Sequence, residues 1–155
     1  MTKTKVGKAV PDFEIAATGG RQISLKSLRG KTVVLYFYPK DDTPGCTTEG
    51  CDFRDQGAAF RKAGIIVLGV SRDTLASHEK FKAKYEFPFD LLSDGDEKLC
   101  GLFDVIREKN MYGKKVFGVE RSTFLIDKEG VLRQEWRKVK VAGHVAEVLE
   151  AAKAL

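Results

Sequence analysis

Apolar positions along the chain fall into short runs separated by amphipathic stretches, the alternation produced when buried strands and surface helices follow one another. Residues 31–38 (KTVVLYFY) form a β-branched and aromatic run that stops at Pro39, and residues 65–70 (IIVLGV) form a second after Gly64; both read as buried central strands. Between them, residues 47–63 carry Phe53 and Phe60 a heptad apart among charged positions, which predicts one amphipathic helix weakened by Gly50 and Gly57. Further on, the pattern predicts a helix over 74–86, a short strand over 89–92 and a brief helix over 96–103. A strand over 121–126, a hairpin turn at 127–130 and a partner strand over 131–137 follow, and a last helix spans 143–154.

That order predicts an α/β chain with a thioredoxin-like fold: a mixed central β-sheet flanked by helices, preceded by a short N-terminal extension. At 155 residues with 43% hydrophobic content and no internal repeat, the expectation is a single domain over 1–155. No apolar run approaches the ~20 residues needed to cross a bilayer, and residues 1–11 lack the apolar core of a signal peptide, so a soluble cytoplasmic protein without membrane contact is expected. Lys and Arg (27) are interleaved with Asp and Glu (22), which makes the net charge of +5 an ordinary solvated surface. Without an RNP-like aromatic stretch, a zinc finger or a long basic helix, nucleic acid is not an expected partner.

Three unevenly spaced cysteines are too few for a disulfide scaffold, and in a cytosolic protein a disulfide would be transient and catalytic. Cys46 lies where the first central strand hands over to the first long helix, and strand ends are where α/β folds place their sites. Sulfur in the first turn of a helix faces unpaired backbone N–H groups and the positive end of the helix dipole, which favour thiolate over thiol. Pro39 and Pro44 restrict the preceding loop, Gly45 permits close backbone approach, and Thr43 sets a hydroxyl three residues ahead of the sulfur. Taken singly these residues also fit a plainer arrangement, with Thr43 and Thr47 capping a helix and Cys46 packed as a small apolar group.

The assembled pattern Pro39-x-x-x-Thr43-x-x-Cys46 resembles the active-site motif of the peroxiredoxins. The likeness extends through FYPK at 37–40, TPGCT at 43–47, Glu49, FRD at 53–55, GVS at 69–71 and RSTFLID at 121–127. It runs from Pro11 to the C-terminal helix and is similar in particular to the bacterioferritin comigratory protein group, also called peroxiredoxin Q. The resemblance implies a thiol-dependent peroxidase that needs no metal, haem or flavin cofactor. By position, it implies that Cys46 is the peroxidatic cysteine, Thr43 orients the peroxide, Pro39 shields the site, Arg121 completes the pocket and Glu49 joins the same network. A guanidinium beside the sulfur would favour the thiolate and stabilise charge developing on the peroxide oxygens. The plainer roles are a surface ion pair for Arg121, to Glu120 or Glu49, and a solvated carboxylate for Glu49.

Members of that group carry a resolving cysteine at a near position, on the following helix, or not at all. The chain has Cys51 at the near position and no cysteine over 74–86, so the resemblance implies an intrachain Cys46–Cys51 disulfide in a monomer, recycled by thioredoxin or a similar dithiol. On one helix the two Cα atoms would stand about 8 to 9 Å apart, beyond disulfide reach, so resolution would require local unwinding, eased by Gly45 and Gly50. Cys100, among the apolar neighbours of KLCGLF, is expected to be a packing residue. His78 and His144, isolated in the sequence, read as surface or helix-end histidines. Two other functional classes remain: a general protein thiol–disulfide oxidoreductase, which leaves Pro39, Thr43 and Arg121 without a task, and a binding or chaperone-like module with incidental cysteines.

Overall fold

The computed structural model describes residues 3–155, without the side chain of Met111. Strands β1 (Glu14–Ala17), β2 (Arg21–Ser24) and β3 (Thr32–Phe37) lead into helix α1 (Pro44–Asp55) and the short α2 (Gly57–Lys62). Then come β4 (Ile65–Ser71), α3 (Leu75–Tyr85), β5 (Asp90–Ser93), α4 (Lys98–Leu102), β6 (Ile106–Met111) and β7 (Lys114–Val119). The chain closes with β8 (Ser122–Ile126), β9 (Leu132–Trp136) and α5 (His144–Lys153).

Seven strands form one mixed sheet in the order β2-β1-β5-β4-β3-β8-β9, with β3, β4 and β5 parallel and the remaining pairs antiparallel. Parallel neighbours need crossovers, and these are supplied by α1 with α2 and by α3. Strand β3 is buried on both faces, so its pattern is continuous rather than alternating. Val33, Leu35 and Phe37 face one core layer with Leu99, Phe103 and Phe124, whereas Val34 and Tyr36 face a second layer with Phe53, Phe60, Phe81 and Val148. The N-terminal extension is tied to β9 and its turn by Gly7 N–H to Leu132 O and Val10 N–H to Gly130 O.

The structure departs from the sequence expectations at three kinds of place. The helix expected over 47–63 starts earlier, at Pro44, and is broken at Gln56 into α1 and α2. Proline suits the first helical position because its missing N–H is not needed there. Four strands were not foreseen: β1 and β2 are short and alanine-rich or polar, and β6 and β7 form a separate charged ribbon. The β6–β7 turn has positive φ at both Tyr112 (54°) and Gly113 (77°), the backbone of a type I′ hairpin. Finally, neither histidine is a surface group, although His144 does stand at a helix end as expected. His78 is wholly buried, and His144 opens α5 but is only 7% exposed, with Nε2 2.8 Å from Thr123 Oγ1. Burial holds the His144 imidazole below its ordinary pKa against the opposing pull of Glu147.

Candidate active site

Pro39 and Lys40 leave the end of β3 for a tight loop that delivers Thr43 to the N-cap position of α1. The Thr43 hydroxyl does not cap the helix; it donates to Lys40 O at 2.9 Å, so its direction is set by the loop. Cys46 falls in the first turn of α1 and is 2% exposed. Arg121, immediately before β8, reaches across the end of β3, where Phe37 pairs with Ser122.

Arg121 Nη2 lies 3.3 Å from Cys46 Sγ, and Arg121 Nη1 donates to Glu49 Oε1 at 2.6 Å. Glycine at 45 makes room for this approach, because a Cβ there would stand 3.1 Å from Arg121 Nη2. The guanidinium is thus shared between a sulfur and a carboxylate on one helix, with 16% of its side chain exposed. Burial alone would lower its pKa, but Glu49 and the sulfur outweigh that and hold it above the ordinary arginine value. Cys46, Arg121 and Glu49, predicted as one group, are brought together; the surface ion pair is excluded, since Glu49 is wholly buried. Thr43 and Pro39 are partly exposed on the approach to α1.

Glu49 Oε2 is buried without a hydrogen-bond partner among the described residues. Burial therefore pushes its carboxyl up to about 7, although Arg121 pulls the other way. The folded carboxyl titrates near 7 and an unfolded one near 4.5, so the protonated form favours the fold. This contribution is fully present below about 4.5 and is lost as pH rises to about 7. Its full size is on the order of 3 kcal/mol. Glu49→Gln should flatten the fall in urea stability across that window; an unchanged slope would refute the assignment.

Cys51 lies on the same uninterrupted helix, partly exposed, and both cysteines are free thiols. Burial raises the Cys51 pKa, with Asp55 and Asp52 adding to the effect and Arg54 opposing it. Gly50, beside it, is packed under Phe87: a Cβ at Gly50 would meet the ring at 2.5 Å. Cys100 is fully buried, and burial followed by Asp94 drives its thiol well above the ordinary range.

Residues 6–135 match the AhpC/TSA family. The chain belongs to this family. Peroxiredoxin Bcp of Xanthomonas campestris is 59% identical over 143 residues, 92% of this chain and 89% of the relative. Peroxiredoxin Bcp of Bacillus subtilis is 52% identical over 149 residues, covering 96% and 95%. A solved structure of the Xanthomonas bacterioferritin comigratory protein, studied for alkyl peroxide reduction, superposes with a TM-score of 0.90 at 55% identity, covering 99% and 98%. This family member is therefore a thiol-dependent peroxidase, a peroxiredoxin with a thioredoxin-like fold.

Sequence reading missed the polar cluster beneath the peroxiredoxin loop. Asp41, Asp73 and His78 bring potential metal-ligand atoms within 4.8 Å of one another. These atoms already serve internal hydrogen bonds: Tyr38, Ser77 and Ser71 hydroxyls and the Asp41 N–H all donate to the two carboxylates. No sequence spacing announces a contact between residues 41 and 78. No helix among the described residues is long and apolar enough to cross a membrane.

Proposed function

We propose that Cys46 is the peroxidatic nucleophile, Cys51 the resolving thiol, and hydrogen peroxide and organic hydroperoxides the substrates. The observation that carries this reading is Arg121 bridging Cys46 Sγ and Glu49 at the first turn of α1. The Cys46 thiolate attacks the terminal peroxide oxygen; the S–O bond forms as the O–O bond breaks, and the leaving oxygen takes up a proton as water or alcohol. Arg121 faces the charge that develops on those oxygens, Thr43 orients them, Pro39 limits solvent, and Glu49 holds the guanidinium in place.

Cys51 then attacks the sulfenic sulfur, forming the disulfide and releasing water. Five residues apart on a helix, the two Cα atoms stand about 8 to 9 Å apart, so α1 unwinds locally before the bond closes. A thioredoxin-type dithiol reopens it by exchange and is itself oxidised to a disulfide. The whole cycle runs on one domain, in a monomer, in the cytoplasm.

Peroxide consumption with a dithiol recycling system tests the division of labour. Cys51→Ser should consume one equivalent, then stop with Cys46 as sulfenic acid, and Cys100→Ser should turn over at nearly the wild-type rate. Continued turnover by Cys51→Ser at the wild-type rate would remove Cys51 from the mechanism. A Cys46–Cys51 bond seen with the first turns of α1 intact would remove the unwinding step.

A further inference from the structure

We propose that His78 is a positioning residue for peroxide reduction, acting through Asp41 to hold the 38–43 loop in its reactive shape. The proposal rests on Cys46 as the attacking sulfur.

His78 Nε2 lies 2.9 Å from Leu92 O on β5, and His78 Nδ1 lies 2.7 Å from Asp41 Oδ2. A carbonyl oxygen only accepts, so Nε2 must donate. The Asp41–His78 contact then needs a further proton, on Nδ1 or on the carboxylate, since an unprotonated nitrogen facing a carboxylate oxygen at this distance would be repulsive. His78 thus spans α3, β5 and the catalytic loop with both ring nitrogens engaged and no exposed surface.

Asp41 is the part of the loop that this strut grips. Its Oδ1 accepts from the Tyr38 hydroxyl at 2.6 Å, its Oδ2 also accepts from Ser77 Oγ at 2.8 Å, and its N–H donates to Asp73 Oδ2 at 2.9 Å. Pro39 and Thr43 lie two residues to either side. Because the Thr43 hydroxyl is directed by Lys40 O, it points wherever the loop points. The neighbouring clasp from Asp42 to Lys84 and Tyr85 is exposed, and exposed pairs hold little. Burial makes the Asp41–His78 clasp strict, because removing one partner strands the other away from water.

Two reagents separate this role from general stabilisation. Peroxide attack needs an oriented pocket, whereas alkylation by iodoacetamide needs only an accessible thiolate. In a Cys51→Ser/Cys100→Ser background, with rates expressed per folded molecule, His78→Gln should lower the peroxide rate constant about ten- to a hundred-fold. Its alkylation rate should be unchanged or faster. Asp41→Ala should behave alike, and the His78→Gln/Asp41→Ala pair should lose no more than the worse single change, because both break one contact.

An unchanged peroxide rate, an equal fall with both reagents, or additive losses would overturn the proposal. Should His78→Gln not fold, Ser77→Ala removes one donor to Asp41 and should show a smaller selective loss; none would overturn the proposal equally. Peroxide consumption by Cys46→Ser would instead indict the nucleophile, so the two failures are distinguishable.

Discussion

Cys46→Ser is expected to reduce peroxide consumption to buffer background while leaving the fold in place. Serine is close in size to cysteine, and its hydroxyl still offers Arg121 Nη2 an acceptor at the sulfur's position, 3.3 Å away in the native site. Stability should therefore change little, because the buried donor keeps a partner. Chemistry is lost because an alcohol supplies almost no anion near neutrality and is a poor nucleophile towards peroxide oxygen. Neither remaining thiol compensates: Cys100 is sealed off and driven to high pKa, and Cys51 is raised by burial despite the opposing pull of Arg54. A melting curve beside a peroxide assay checks both halves. Surviving activity would mean that attack occurs at another sulfur.

Arg121→Met should have the next largest effect, and on two quantities at once. Loss of a preorganised donor facing developing charge lowers the rate constant with peroxide by about a hundred- to a thousand-fold. Stability also falls, by about 3 kcal/mol, because Glu49 Oε1 loses its partner in a wholly buried site. The stability loss should shrink as pH falls towards 5, since Arg121 is what draws the Glu49 carboxyl down and without it the group becomes neutral more readily. Adding Glu49→Gln to Arg121→Met removes the stranded charge and should restore much of the stability without restoring the rate. If both recover together, the arginine acts on Cys46 only by holding the helix in place.

How far these features can be read from the sequence depends on how local their causes are. Strands β3 and β4 are continuous apolar runs, so burial on both faces announced them within a residue or so at each end. Strands β1 and β2 pair locally with each other, but both are short and carry little apolar signal, and β1 joins the sheet only through Ala17 beside Leu92 on distant β5. The β6–β7 ribbon did have a local cue, the Tyr112–Gly113 turn, but its charged strands masked it. At the site, Cys46, Thr43 and Pro39 share one segment and are legible as a motif, and Arg121 came only through a family likeness. Glu49 is buried against Arg121, 72 residues away, and His78 against Asp41, 37 residues away, so neither burial had a local signal.

Gly50 carries a lesson for anyone wishing to make this enzyme tougher. Changing a helical glycine to alanine ordinarily stiffens the backbone and raises stability by about 0.5 to 1 kcal/mol. Here the added methyl would collide with Phe87, which α3 presents through the left-handed Glu86 (φ 54°) that ends it. Rigidity and fit are therefore alternatives at the residue immediately before the second sulfur. Consensus-style hardening of α1 meets an aromatic obstacle there, and relieving it means recutting the Phe87 side of the interface first.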